Sequence, residues 1–389
     1  MAYTKHNFKQ GEVLTAQALN EMDAQIFANE AAISSASSST KSWSFTSDYQ
    51  TELDRVVSKV TTLQGNGKGY AVSFITYSDL HKASVTDHPE FDRMIDAINY
   101  LTTKLDIKFV ANLGDTHDGT PVQGSHYGPG INGVYSQVLE SMSQLNAPYI
   151  NIPGNHDTIQ QVYKRNWMTN IPNAVFDKVG SWFYTDDDFY NVRFIVLDCQ
   201  DQDGHANAWT TGTLNGADRS YEQLNWLANT ALKTSKRIIF LQHQSMESRT
   251  GSFVHPTKPT SDGRYYFTEN IIDAFEQGTS TEIDYDSSRK INVDFTSQGN
   301  GVVLCNFFGH THGDAILKRD SGSTINEIAI DDALCRSGAH GGSDNTKTSN
   351  TVNEIAFDVV CVDLINKTVY CYRFGTGSDR ELALNLPNV

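Results

Sequence analysis

Apolar residues in this chain fall into three textures, and each predicts a different kind of element. Near the start, Leu19, Met22, Ile26, Asn29 and Ile33 recur at alternating spacings of three and four, the period of one helix face with a single polar break. Thr15, just ahead of Ala16-Gln17-Ala18, supplies a cap for that helix. Ser34 to Asp48 is rich in Ser and Thr around Trp43 and Phe45, too polar to bury much, and predicts a linker or irregular arm. A second seam follows at Leu53, Val56, Val60 and Leu63, and Gly65-Asn66-Gly67 breaks it. Residues 1–66 thus read as an N-terminal helical segment distinct from residues 67–389, with seams that either self-associate or pack on the rest of the chain.

From Tyr70 the texture changes. Ala71 to Tyr77 is a near-continuous apolar run, the mark of a strand buried on both faces. Comparable runs at Ile107–Leu113, Tyr149–Ile152, Val192–Leu197, Arg237–Gln242 and Gly301–Phe308 predict further strands. Between them, helical spacing appears over Phe91–Leu105, Val134–Leu145 and Tyr221–Leu232. The tail differs again: Ile325–Ile330, Glu354–Leu364 and Thr368–Phe374 read as antiparallel strands, with Asn366-Lys367 as a hairpin turn and Gly338–Ser349 as a loop. Alternating β and α segments followed by terminal strands predict an α/β fold of two stacked sheets with helices outside.

Composition narrows the function without naming it. At 389 residues, 39% hydrophobic and 20% charged, the chain has material for one large domain plus an appendage. A formal charge of −16 argues against nucleic-acid or anionic-membrane binding, which needs a basic footprint. It leaves an anionic substrate open, because bound divalent cations reverse the local field. Cys199, Cys305, Cys335, Cys361 and Cys371 are odd in number and contain no C-x-x-C pair, so free thiols are expected rather than a disulfide framework. Met1 to Gly11 lacks the apolar core of a signal peptide, and no run of about eighteen apolar residues is present to span a membrane.

The chemistry-bearing residues sit where the predicted strands stop. Ser78-Asp79-Leu80-His81 follows the first, Gly114-Asp115-Thr116-His117-Asp118 the second and Gly154-Asn155-His156-Asp157 the third. His243 ends the run at Gln242, and Gly309-His310-Thr311-His312 ends the run at Phe308. Each motif alone is explained by turn chemistry or by a hydrogen-bonded core histidine. Five of them at strand ends are harder to explain as packing, since ligand sites in open α/β sheets form at the carboxyl ends of strands and a buried charge needs a partner. Carboxylates, an amide oxygen and imidazoles, with no cysteine among them, suit first-row ions such as Mn, Fe or Zn. A carboxylate can bridge two such ions about 3.5–4 Å apart.

In this order the five motifs resemble those of the calcineurin-like metallophosphoesterases, over roughly residues 70–375. The resemblance implies a two-sheet β-sandwich flanked by helices and a pair of divalent ions. It implies Asp79, His81 and His312 at the first ion, Asn155, His243 and His310 at the second, and Asp115 between them. It also implies in-line attack on phosphorus by a hydroxide held between the ions, with His156 as general acid beside the leaving group and Asp118 and Asp157 orienting histidines. His117, His126, His205 and His255 lie in the intervening loops, as do Arg249 and Lys258; contact with substrate competes there with simple solvation.

Two further stretches carry resemblances. Phe8 to Met22, through Leu14-Thr15-Ala16 and Leu19-Asn20-Glu21, resembles the attachment segment of tail and baseplate receptor-binding proteins from phages of Gram-positive bacteria. That implies a homotrimer built through the N-terminal helices, attached to other tail proteins in a virion, with cell-wall teichoic acid as substrate. Phe374-Gly375-Thr376-Gly377-Ser378-Asp379-Arg380 resembles a C-terminal ending of bacterial and phage phosphoesterases and reads as structural. A phosphate-gripping adhesin and an intracellular nucleotide phosphodiesterase are the competing readings.

Overall fold

The structure, a computed structural model, describes residues 43–65, 71–82, 89–116, 138, 140–154, 156–157, 175–176, 181–199, 201, 219–246, 267–286, 288–318, 325–334, 347–384 and 386. The chain divides into Met1–Ser44 and Phe45–Val389, and the elements below belong to the second unit. In order they are α1 (Ser47–Gln64), β1 (Ala71–Tyr77), α2 (Glu90–Lys104), β2 (Val110–Asn112), β3 (Tyr149–Asn151), β4 (Val175–Phe176), β5 (Phe183–Asp187) and β6 (Val192–Val196). There follow α3 (Tyr221–Trp226, continued by a π-helical turn at Leu227–Ala231), β7 (Arg237–Leu241), α4 (Phe267–Gln277), β8 (Ser280–Asp284) and β9 (Lys290–Asp294). The last are β10 (Val303–Phe308), β11 (Ala315–Leu317), β12 (Glu327–Ala329), β13 (Ala356–Asp363), β14 (Thr368–Gly375) and β15 (Arg380–Ala383).

The strands make two mixed sheets, as the sequence pattern predicts. One runs β15-β14-β13-β1-β2-β3 and the other β11-β12-β10-β7-β6-β5-β4, with β8 and β9 as a separate hairpin. β1, β2 and β3 are mutually parallel, and so are β6, β7 and β10. Every residue of β1 is buried, because successive side chains alternate between two covered faces. Val72 and Phe74 point between the sheets, where Phe74 meets the rings of Phe109, Phe194 and Phe307 at 5.2–5.5 Å. Ala71, Ile75 and Tyr77 point the other way, into a core shared with α1 and α2. The outer face of the second sheet is covered by α3, α4 and the β8–β9 hairpin through Leu224, Ile271, Phe275, Ile283 and Ile291.

The second apolar seam behaves differently from a coiled coil. α1 begins at Ser47, inside the stretch expected as a linker, and buries Tyr49, Leu53, Val56 and Val60 in the same core as Phe357 and Phe374. Each such side chain contributes roughly 1.5–3 kcal/mol on burial, so the seam is consumed by its own sheet. The unit that holds the sheets therefore starts at Phe45, whereas the sequence pattern grouped residues 1–66 together. The first seam, Leu19 to Ile33, lies outside the described residues. No helix among the described residues is long and apolar enough to cross a membrane. Cys199, Cys305, Cys361 and Cys371 are buried free thiols, as expected.

Candidate metal centre

The carboxyl ends of β1, β2, β3, β7 and β10 come together at one rim. Past Tyr77 the chain continues beside the loop that follows β2: Asp79 N donates to Gly114 O, His81 N to Asp115 O and Lys82 N to Thr116 O, each at 2.9 Å. Across the rim, Gly309 N donates to His243 O at 2.9 Å, which joins the two loops of the second sheet. The glycines of the motifs are sterically required here. A Cβ on Gly154 would lie 2.2 Å from Asp115 Oδ1, and one on Gly309 would lie 1.7 Å from Ser78 Oγ.

The two carboxylates are built alike. Asp79 Oδ2 accepts from His310 N at 2.8 Å, while Oδ1 lies 3.4 Å from His81 Nε2 and 3.3 Å from His312 Nε2. Asp115 Oδ1 accepts from His156 N at 2.7 Å, while Oδ2 lies 3.2 Å from His243 Nε2, 3.7 Å from His81 Nε2 and 3.9 Å from His156 Nε2. In each, a backbone N–H pins one oxygen and the other is offered to imidazoles. His243 Nδ1 faces Leu113 O at 3.0 Å; donation to that carbonyl leaves Nε2 as the ligating nitrogen.

Backbone geometry marks the same residues. Of the eight non-glycine residues with positive φ among those described, five are Asp79, His81, Asp115, His310 and His312. Such conformations cost on the order of 1–3 kcal/mol each and persist only where neighbouring structure enforces them. No sequence pattern signals them.

Electrostatics point to positive charge at the centre. Burial pushes Asp79 and Asp115 up, yet the surrounding histidines outweigh it and hold both well below the usual carboxylate range. Burial pulls His243 down, and Asp115 followed by Asp79 overcome that and push it up to about 10. His312 is raised by Asp79 against the same penalty. Two buried carboxylates, each facing imidazole nitrogens across less than 4 Å, demand positive charge beside them.

Metal ions fit that demand. Donor atoms sharing one ion at 2.0–2.2 Å lie about 3–3.5 Å apart, and the His81 Nε2–His312 Nε2 spacing is 2.9 Å, with Asp79 Oδ1 3.3–3.4 Å from both. Three groups have converging donor atoms: Asp79, His81 and His312; Asp115, His243 and His310; and His81, Asp115 and His156. The structure thus gathers six of the seven residues expected at the ions. Asn155, Asp118, His117, His126, His205, His255, Arg249 and Lys258 lie outside the described residues. His156 is buried, with its ring edge-on to His81 at 4.6 Å. Asp157 accepts from Thr116 N at 3.0 Å and from Gly154 N at 2.8 Å, contacts that hold the second and third loops in register.

Sequence reading missed three supporting groups. Glu327 is fully buried and accepts from Ser245 Oγ, Met246 N and Asn306 Nδ2 at 2.6–2.8 Å, which anchors the loop after His243. Asp332 bridges to Ser78, beside Asp79, and pairs with buried Lys347 at 2.5 Å. The signal for Asp332 was present: Asp331-Asp332 ends the apolar run at Ile330 just as the five motifs end theirs.

A family model described as "Calcineurin-like phosphoesterase" matches residues 72–314, more than half of the chain. Among solved structures, a dimetal phosphatase from Danio rerio is similar with a TM-score of 0.50 at 12% identity, covering 81% of this chain and 99% of that one. GAP50, the anchor in the inner membrane complex of Plasmodium, has a TM-score of 0.43 at 13% identity, covering 82% and 90%. At 12% identity the likeness to the dimetal phosphatase is one of fold. No curated protein sequence matches the chain.

Proposed function

This chain belongs to the calcineurin-like phosphoesterase family, and from that premise we propose that it is a phosphodiesterase that cuts a phosphate-linked polymer of the cell surface. The family uses a dinuclear divalent centre, and the observation that carries the reading is the chain of donor groups in which His81 joins the Asp79–His312 group to Asp115 and Asp115 joins His81 and His156 to His243 and His310. Asp79, His81 and His312 would hold one ion, Asn155, His243 and His310 the other, and Asp115 both. Mn, Fe or Zn suits this mixture of nitrogen and oxygen donors. When bound, such ions supply an activated water and neutralise charge developing on the phosphoryl oxygens.

The chain's own groups do the rest. His156, held by its backbone N–H on Asp115 Oδ1, is the general acid that gives its proton to the departing alkoxide. Asp157 keeps the His156 loop against the Asp115 loop through Thr116 N and Gly154 N. For Asp118, which lies outside the described residues, the family resemblance implies a histidine-orienting role.

The polymer reading rests on the resemblance of Phe8 to Met22 to phage attachment segments. The attachment role expected of residues 1–66 is assigned to residues before Phe45, because α1 is consumed by the sheet. On this reading the protein is a trimeric component of a phage tail or baseplate, and teichoic acid is its substrate. The test is a substrate panel with added Mn: a phosphomonoester, an aryl phosphodiester and purified teichoic acid. Release of phosphorylated fragments from the polymer is expected. Turnover of the aryl diester alone rejects the polymer, and no turnover of any substrate rejects the enzyme.

A further inference from the structure

The loop that carries His310 and His312 is gripped at both ends. At its start, His310 N is bound by Asp79 Oδ2 at 2.8 Å. At its end stands Asp314, two residues past His312, and its Oδ1 receives Arg373 Nη2 at 2.5 Å, Arg380 Nη1 and the backbone of Asp331 at 3.2 Å. The two arginines are themselves fixed. Arg373 Nε and Nη2 reach the carboxylate of Asp358 at 2.9 and 3.1 Å, and its Nη1 reaches Thr376 O at 3.1 Å. Arg380 reaches Asp358 Oδ2 with Nη2 and Ala329 O at 2.7 Å with Nη1. Two guanidiniums and two carboxylates, with Arg373 and Asp358 almost wholly buried, make a charge-balanced network in planar, forked geometry that lysine cannot reproduce.

We propose that Arg380 and Arg373 are positioning residues for the metal centre, acting through Asp314 to hold His310 and His312 in the left-handed backbone that aims them at the ions. Both histidines have positive φ, 68° and 48°, so the loop relaxes unless both ends are restrained. The C-terminal ending that reads as structural in the sequence is then part of the metal site's support. Asp379 extends the support outward: its carboxylate takes Arg55 Nη1 at 2.8 Å and Lys59 Nζ from α1, and receives Arg373 N at 3.0 Å. The inference rests on the reading that His310 and His312 bind metal.

The experiment measures Mn affinity by titration calorimetry and the visible spectrum of the Co-loaded protein, alongside thermal melting, for the full chain. Arg380→Gln and Asp314→Asn are expected to weaken Mn binding about 10- to 100-fold, the usual effect of removing a support behind a ligand, and to change the Co spectrum. Arg380→Lys, which keeps the charge and the fold but loses the fork, is expected to fall between them and wild type. Arg193→Gln serves as control, since it breaks a pair with Asp186 on β5 and β6; it should lower the melting temperature and leave Mn affinity and spectrum unchanged. The proposal is overturned if Arg380→Gln and Arg380→Lys melt earlier yet bind Mn as wild type does. Absence of Mn, Zn or Fe binding by wild type overturns the metal reading itself, and this inference with it.

Discussion

Two regions meet on β1 and are stabilised in opposite ways. Along the strand, from Ala71 to Tyr77, side chains alternate between the inter-sheet core, entered by Val72 and Phe74, and the core under α1 and α2, entered by Ala71, Ile75 and Tyr77. Beyond Tyr77 the same chain becomes Asp79 and His81, both buried and in left-handed backbone. The flank contributes stability through area removed from water, whereas the rim spends it on strain and buried charge. The rim is held by strands whose residues are buried up to the point where they stop.

Removing a rim carboxylate should have the largest effect. Asp115→Asn alters the carboxylate that two of the three donor groups share, so a loss of several kcal/mol of transition-state stabilisation, or at least about 10³-fold in kcat, is expected. Steady-state kinetics with metal analysis checks it; wild-type activity would remove Asp115 from the centre. Next comes His156→Ala. As a general acid it should lose about 10²–10⁴-fold on substrates with poor leaving groups and far less on aryl esters, with both ions retained. Because its Nε2 also lies in one donor group, loss of an ion with unchanged activity per ion would make it a ligand instead.

On the flank the prediction changes sign of emphasis, from activity to stability. Leu53→Ala, in the core under α1, should cost about 2–5 kcal/mol in denaturant unfolding while kcat of the folded enzyme stays put. A drop in oligomer size without destabilisation would instead mean that the seam serves self-association.

The smallest effect expected is at Glu354, which ties α1 to α2 by accepting from Tyr49 OH at 2.7 Å and from Arg93 Nε and Nη2 at 2.5 and 2.8 Å. Burial raises its pKa, but Arg93 and Tyr49 outweigh this and hold it below the ordinary 4.5. A depressed carboxyl stabilises the fold fully above its unfolded value and loses that contribution as pH falls through its folded value. Glu354→Gln should therefore lower stability at neutral pH by about 1.5–3 kcal/mol. It should also flatten the stability curve below pH 4.5, measured with chelator so that ion release does not contribute. Parallel curves for the two proteins would show that Glu354 is not the titrating tie.

Much of this was legible in the chain. The apolar runs at 71–77, 192–197 and 237–242 became strands because residues covered on both faces leave a continuous apolar trace. The elements that escaped were short or half exposed. In the β8–β9 hairpin, Ile283, Ile291 and Val293 point inward while Glu282, Asp284, Lys290 and Asp294 face out, so the alternation is real but short and mostly charged on its outer side. β15 escaped because Arg380 and Glu381 open it, and the place of Arg380 against Asp314 and Asp358 depends on strands far apart in sequence.

By itself, the sequence determined the donor inventory and its location at strand ends, because side-chain chemistry and period-two burial are properties of residue type and order. Only the tertiary structure decided which oxygen of Asp79 and Asp115 is pinned and which is offered, that five site residues take left-handed backbone, and that the seam of α1 is consumed by its own sheet. Those outcomes depend on backbone groups and surfaces supplied from distant parts of the chain, which no local pattern encodes.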